Sequence, residues 1–130
     1  MILLDTHTWI WWVHGDPRLP ESHAEIIHRS ENIEIGVSII SCWEVAKLVE
    51  YKRLVLPCSL QEWFAQALAY PGVSLLKLTP EIVIESVQLP DQFHRDPADQ
   101  LIVATARVHS CPLLTSDTRI RQYTHVETPA

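Results

Sequence analysis

The chain has 130 residues, 47% of them hydrophobic, with 10 Lys+Arg against 16 Asp+Glu for a net charge of −6. That length and apolar content predict one folded domain over residues 1–130, and the acidic balance excludes a broadly basic nucleic-acid-binding domain while leaving room for a local patch. No uncharged run approaches the ~20 residues of a membrane span, Met1 to Asp5 lacks the basic segment of a secretory signal, and Cys42, Cys58 and Cys111, an odd count without Cys-x-x-Cys, suit neither a disulfide framework nor a structural zinc site, so a reducing cytoplasm is the expected compartment.

The predicted elements alternate. Ile2–Leu4 reads as a first strand, followed by a short Trp-rich helix over residues 8–14 and a helix over Glu21–Ser30 after Pro20. A second strand is expected at 34–37. Helices follow at 42–52, where Val45, Leu48 and Val49 have helical spacing, and at 60–69, with Phe64, Ala67 and Leu68. The third strand is predicted at 75–78 and a helix at 80–87 behind Thr79, a good N-cap with Pro80 in the first turn. A helix over 97–109, a fourth strand at 113–115, a short helix at 118–123 and a possible edge strand at 126–128 complete the chain. Alternation of this kind predicts an α/β, Rossmann-like three-layer sandwich around a mostly parallel sheet of four or five strands. Ligands of such sheets collect outside the carboxyl ends of the strands.

Carboxylates fall at that edge. Asp5 closes the first strand and Asp117 follows the fourth, within Leu113-Leu114-Thr115-Ser116-Asp117. Glu44 is expected in the first turn after strand two, while Asp96 and Asp99 open the helix leading to strand four. Each has a purely structural alternative. Ser41-Cys42-Trp43-Glu44 reads as a capping box, Asp96-Pro97-Ala98-Asp99 as an N-cap followed by Pro and a dipole-favoured acid, and Asp5 and Asp117 as caps of the helices behind them. Taken together, converging carboxylates face a cost. Two like charges ~4 Å apart repel by ~4 kcal/mol at an effective dielectric of about 20. Such a group must take up protons or bind a cation, and oxygen donors without Cys or His select Mg²⁺ or Mn²⁺, ions suited to phosphoryl chemistry.

Four segments carry a family resemblance: Ile2 to Thr8 around Asp5; Ser38 to Ala46 around Glu44; His94-Arg95-Asp96-Pro97-Ala98-Asp99 with the stretch to Ala106; and Leu113 to Asp117. In this order and spacing the chain resembles the PIN-domain ribonucleases, and among them the VapC-like toxins of toxin–antitoxin pairs. The resemblance implies an endoribonuclease dependent on Mg²⁺ or Mn²⁺, commonly a homodimer, neutralised by a cognate VapB-like antitoxin. It assigns Asp5, Glu44, Asp99 and Asp117 as the catalytic, metal-binding acids. Asp96, Thr6 and Thr115 are candidates for support around them. Asp99 takes the third role because it precedes Ile102 by three positions, as the family acid precedes its Ile-x-x-Ala stretch.

The remaining candidates are weaker. His94 and Arg95 are candidate RNA contacts, and Lys47, Lys52, Arg53, Arg107, Arg119 and Arg121 a possible phosphate-holding rim, each with a solvated surface as its alternative. The seven histidines show no zinc-ligand spacing. Trp9 and Trp12 share a helical face, which leaves Trp11 for an antitoxin helix or a second subunit. Two other functions compete: a catalytically silent PIN-like protein-binding module, and a haloacid-dehalogenase-like phosphatase. The phosphatase needs a second acid two residues after the first, where this chain has His7.

Overall fold

The computed structural model describes residues 1–129. β1 (Ile2–Leu4) leads into α1 (Thr6–His14) and α2 (Glu21–Ser30), and β2 (Ile35–Ser38) into α3 (Ile39–Glu50) and α4 (Leu60–Ala67). β3 (Val73–Leu76) leads into α5 (Pro80–Ser86) and α6 (Pro97–Val108), and β4 (Leu113–Leu114) into α7 (Thr118–Arg121). The strands pair in the order β3-β2-β1-β4, every pair parallel, which is the α/β architecture the alternation predicts. Strands β2 and β3 build outward on one side of β1, and the chain then crosses back to place β4 on the other. The crevice between the carboxyl ends of β1 and β4 is therefore the topological switch point.

β1 shows why the sheet needs cover on both faces. Ile2 and Leu4 pack with Trp9, Ile27, Ile35, Val37, Val45 and Trp63 on one side. Leu3 points the other way, into Ile102, Val103, Ala106, Leu113 and Ile120. Period-two alternation thus divides the core into two halves, one under α1 to α4 and one under α6 and α7, with α5 packed on α6.

Several boundaries differ from the sequence prediction, each for a local reason. The third strand comes two residues early because the turn into it is made at Gly72, where φ is +83°. A side chain there would put its Cβ 2.4 Å from the Glu31 carbonyl oxygen, so only glycine fits. No strand forms at 126–128; that segment meets the sheet through the bond from Leu113 N–H to Glu127 O (2.8 Å). Helix α1 starts at Thr6 because Asp5 caps it. Helix α3 starts three residues early because β2 runs directly into it, with Ser38 Oγ accepting from Ile40 N–H at 3.1 Å. Ser41 therefore lies inside the helix, the expected Ser41–Glu44 capping box does not form, and Glu44 sits in the second turn.

Ser59 caps α4: its Oγ accepts from Glu62 N–H (3.1 Å) while its hydroxyl donates to Glu62 Oε1 (3.0 Å). Ser59→Ala is expected to lower stability by about 1 kcal/mol, measured as a shift in the urea midpoint.

Candidate active site

At the switch point, Asp5, Glu44, Asp96, Asp99 and Asp117 line one cleft of about 300 Å³. Asp5 is 8% exposed and held from two sides. Its Oδ1 accepts from Thr8 N–H at 2.9 Å, and its Oδ2 accepts from the Thr115 hydroxyl at the end of β4. Thr115 Oγ1 in turn accepts from Asp117 N–H (3.0 Å), so the exit turn of β4 fixes the carboxylate at the end of β1. Asp117 Oδ1 caps α7 through the N–H groups of Arg119 (2.8 Å) and Ile120 (3.3 Å). Asp96 Oδ1 caps α6 through Asp99 N–H (3.0 Å). Capping and a place in the cleft are thus compatible: one oxygen satisfies the helix terminus while the residue still lines the cleft.

Glu44 and Asp99 are held differently. Glu44 Oε1 is hydrogen-bonded to Thr6, whose hydroxyl oxygen lies 2.9 Å from Ser41 Oγ. Asp99 shares a helix face with the buried Ile102, Val103 and Ala106, and its Oδ2 lies 2.6 Å from His94 Nε2 and 3.7 Å from Arg119 Nη2. Arg119 Nη2 is also 3.6 Å from Asp117 Oδ2. Burial pushes Glu44 up to about 7, with the charges of Asp99, Asp96 and Asp5 adding to the rise and the Thr6 hydrogen bond opposing it. Asp99 is raised in the same way, first by burial and then by Asp96 and Asp117, against the pull of His94. Crowded carboxylates that resist ionisation are the environment a divalent cation relieves.

The donor set fits such an ion in kind, since every carboxylate and hydroxyl in it is a hard oxygen. Among the described residues, no three His, Cys, Asp or Glu side chains stand close enough to hold a metal in their present rotamers. Glu44 is occupied with Thr6, and Asp99 with His94 and Arg119, so gathering around an ion means exchanging those partners.

Not every residue singled out from sequence reaches the cleft. Arg95 lies along a neighbouring cleft with Phe93 and Gln100. Arg107 is committed to Glu85 (2.8 Å) and the His125 carbonyl (2.6 Å), and Lys47 to Glu50 (2.9 Å). Trp11, assigned from sequence to a partner surface, lines the acid cleft together with His7 and Ser116. Its ring lies 6.0 Å from that of His7, with the Arg18 guanidinium 5.4 Å from its centroid. The signal for His7 and Trp11 was their i,i+4 spacing immediately behind an N-capping acid, which puts both on one side of the helix start.

Residues 2–126 match the PIN domain family. The chain is 36% identical over 124 residues to Ribonuclease VapC22 of Mycobacterium tuberculosis (strain ATCC 25618 / H37Rv), covering 95% of this chain and 92% of that protein. The same fold occurs in the VapBC2 complex of Rickettsia felis bound to a DNA fragment from its promoter, at TM-score 0.72 and 14% identity over 99% of this chain and 98% of that one. It occurs again in Mycobacterium tuberculosis VapC20, described as a Sarcin-Ricin loop cleaving toxin, at TM-score 0.62 and 17% identity over 98% and 99% of the two chains. At such identities the two structures attest fold alone. Parallel sheet, switch-point carboxylates and near full-length family match agree: the chain belongs to the PIN domain family.

Proposed function

We propose that this protein is an endoribonuclease that hydrolyses RNA phosphodiester bonds with Mg²⁺ or Mn²⁺, acting as one PIN domain over residues 1–130. The observation that carries the reading is the arrival of Asp5, Glu44, Asp99 and Asp117, from four separate segments, in one cleft at the switch point. The name of the M. tuberculosis relative, a ribonuclease, supports it. In this reading Asp5 and Asp99 are the principal metal ligands, with Glu44 and Asp117 completing the set. When bound, the ion supplies a nucleophilic water at neutral pH and offsets charge growing on the phosphate.

The chain's own residues do the rest. Thr115 and the Thr8 amide hold both oxygens of Asp5, so its direction is set before substrate arrives. Glu44, held by Thr6 at the edge of the cleft, is placed to orient the attacking water. A module that only binds protein gains nothing from four mutually repelling carboxylates in one cleft, which is why hydrolysis is preferred over the silent alternative.

The same reading makes the chain the toxin of a cytoplasmic toxin–antitoxin pair, working as a homodimer and held inactive by a VapB-like antitoxin; that this fold occurs in a solved toxin–antitoxin complex supports the pairing. Among the described residues, no helix is long and apolar enough to cross a membrane. The test maps the ends of RNA cut by the purified protein and follows growth of cells that express it. Products with 5′-phosphate and 3′-hydroxyl ends, and arrest relieved by the product of an adjacent small reading frame, are expected. Ends carrying 2′,3′-cyclic phosphate refute water as nucleophile, and unimpaired growth refutes the toxin role.

A further inference from the structure

Beside the acid cleft lies a second cavity, also of about 300 Å³, lined by Phe93, His94, Arg119, Gln122, Tyr123 and His125 among others. The two cavities share Arg119, and His94, in the wall of the second, reaches across to Asp99 at 2.6 Å. They are therefore adjoining compartments of one groove. Ser116 belongs both to the acid cleft and to a further hollow with His23 and Arg121.

The chemistry of the second cavity is unlike that of the acid cleft. Its wall is aromatic: the buried Tyr123 meets Phe93 edge-on with centroids 4.9 Å apart and His125 at a tilt at 5.4 Å, leaving Phe93 and His125 as the part-exposed rings. Tyr123 is anchored by its hydroxyl donating to the Pro90 carbonyl (2.5 Å). His125 is tethered to Asp91 at 2.6 Å, with about a third of its side chain open to solvent. At the mouth stand the exposed amides of Gln92 and Gln122, each with donors and an acceptor free for a base edge. Arg119, with 59% of its side chain exposed, is a cation at the lip of an otherwise acidic region. The part-exposed Phe93 and His125 rings for stacking, amides for an edge and one cation toward a phosphate are the combination that holds an unpaired nucleotide.

We propose that this cavity is a nucleotide subsite, taking the base adjacent to the scissile phosphate of a single-stranded RNA segment, with Arg119 toward the connecting phosphate. The inference rests on the ribonuclease reading and adds to it where the flanking nucleotide lies and which residues select it. A duplex does not suit it, because its bases are stacked away from such a cavity.

The test combines Gln92→Ala, Gln122→Ala and His125→Ala, side chains outside the core. Binding of a fluorescein-labelled eight-nucleotide unstructured RNA is followed by anisotropy in the Asp5→Asn background, and cleavage of RNAs varied at the nucleotides flanking the cut in the otherwise native chain. Expected are about tenfold weaker binding, a KM raised by a similar factor with kcat within twofold, and loss of preference at one flanking position. A thermal melt matching the unsubstituted chain excludes misfolding; if the triple variant melts early, Gln122→Ala alone, expected to show the same change in preference, decides. Unchanged affinity, KM and preference on an RNA that the native chain cleaves overturn the subsite and leave the ribonuclease reading intact. Weakened capture of a protein partner with RNA binding unaltered also overturns it. If the native chain cleaves no RNA, the ribonuclease reading falls and the subsite with it.

Discussion

Asp5→Asn is expected to reduce RNA cleavage at least about a hundredfold, or about 3 kcal/mol of transition-state stabilisation, with the fold retained. The reason is the division of labour between the two oxygens of this side chain. One satisfies Thr8 N–H at the start of α1, and asparagine keeps a carbonyl for that bond; the other accepts from Thr115, whose hydroxyl can turn to accept from an amide instead. What asparagine removes is the negative charge, at a position 8% exposed where water cannot replace it. Single-turnover cleavage with saturating Mn²⁺, alongside a thermal melt, measures both halves. Chelation of metal from the native chain is expected to give the same loss. Cleavage within tenfold of native in a folded Asp5→Asn protein removes Asp5 from the metal set.

The metal-free protein is expected to lose roughly 2 kcal/mol of stability between pH 5 and pH 8 through Glu44. Burial raises this acid from 4.5 to about 7, so the folded chain holds the proton more tightly than the unfolded one. That advantage is complete below about pH 4.5 and drains away as pH climbs through about 7. The figure is reduced from the full linkage value because Glu44 keeps some contact with water. Asp99, raised by burial in its turn, adds in the same direction. His23 runs the other way: burial lowers it, so its contribution is present at neutral pH and is lost on acidification. The comparison that isolates Glu44 is therefore with Glu44→Gln, using urea midpoints at each pH without metal. Glu44→Gln is expected to flatten most of the slope and to be the more stable protein at pH 8, and Mn²⁺ to return part of the loss to the native chain. Equal slopes for the two chains refute the assignment.

The same residues show how far one-dimensional reading goes. The segment Asp96-Pro97-Ala98-Asp99 announces a helix start, because the capping oxygen, the proline and the backbone amide it serves lie within four positions; α6 begins there with the expected bond. β1 and its closing Asp5 are equally plain. At β2 the local signals compete: Ser38 and Ser41 both suit an N-cap, and Ser38 wins only because the paired strand ends on it. The third strand was misplaced for a related reason. The feature that locates it, the left-handed turn at Gly72 pressed against the Glu31 carbonyl, depends on a residue forty-one positions away.

Determined by sequence alone, then, are the alternation of strands and helices, the caps and the presence of acids at strand ends, all consequences of interactions spanning a few residues. The strand order β3-β2-β1-β4, the grip of Thr115 on Asp5 across 110 positions, the Thr6–Glu44 and His94–Asp99 pairs and the ring-walled cavity beside them were decided by tertiary structure. The physical reason is that a carboxylate's ionisation and orientation depend on what surrounds it within a few ångströms, and only packing of the two half-cores on the sheet brings those surroundings together.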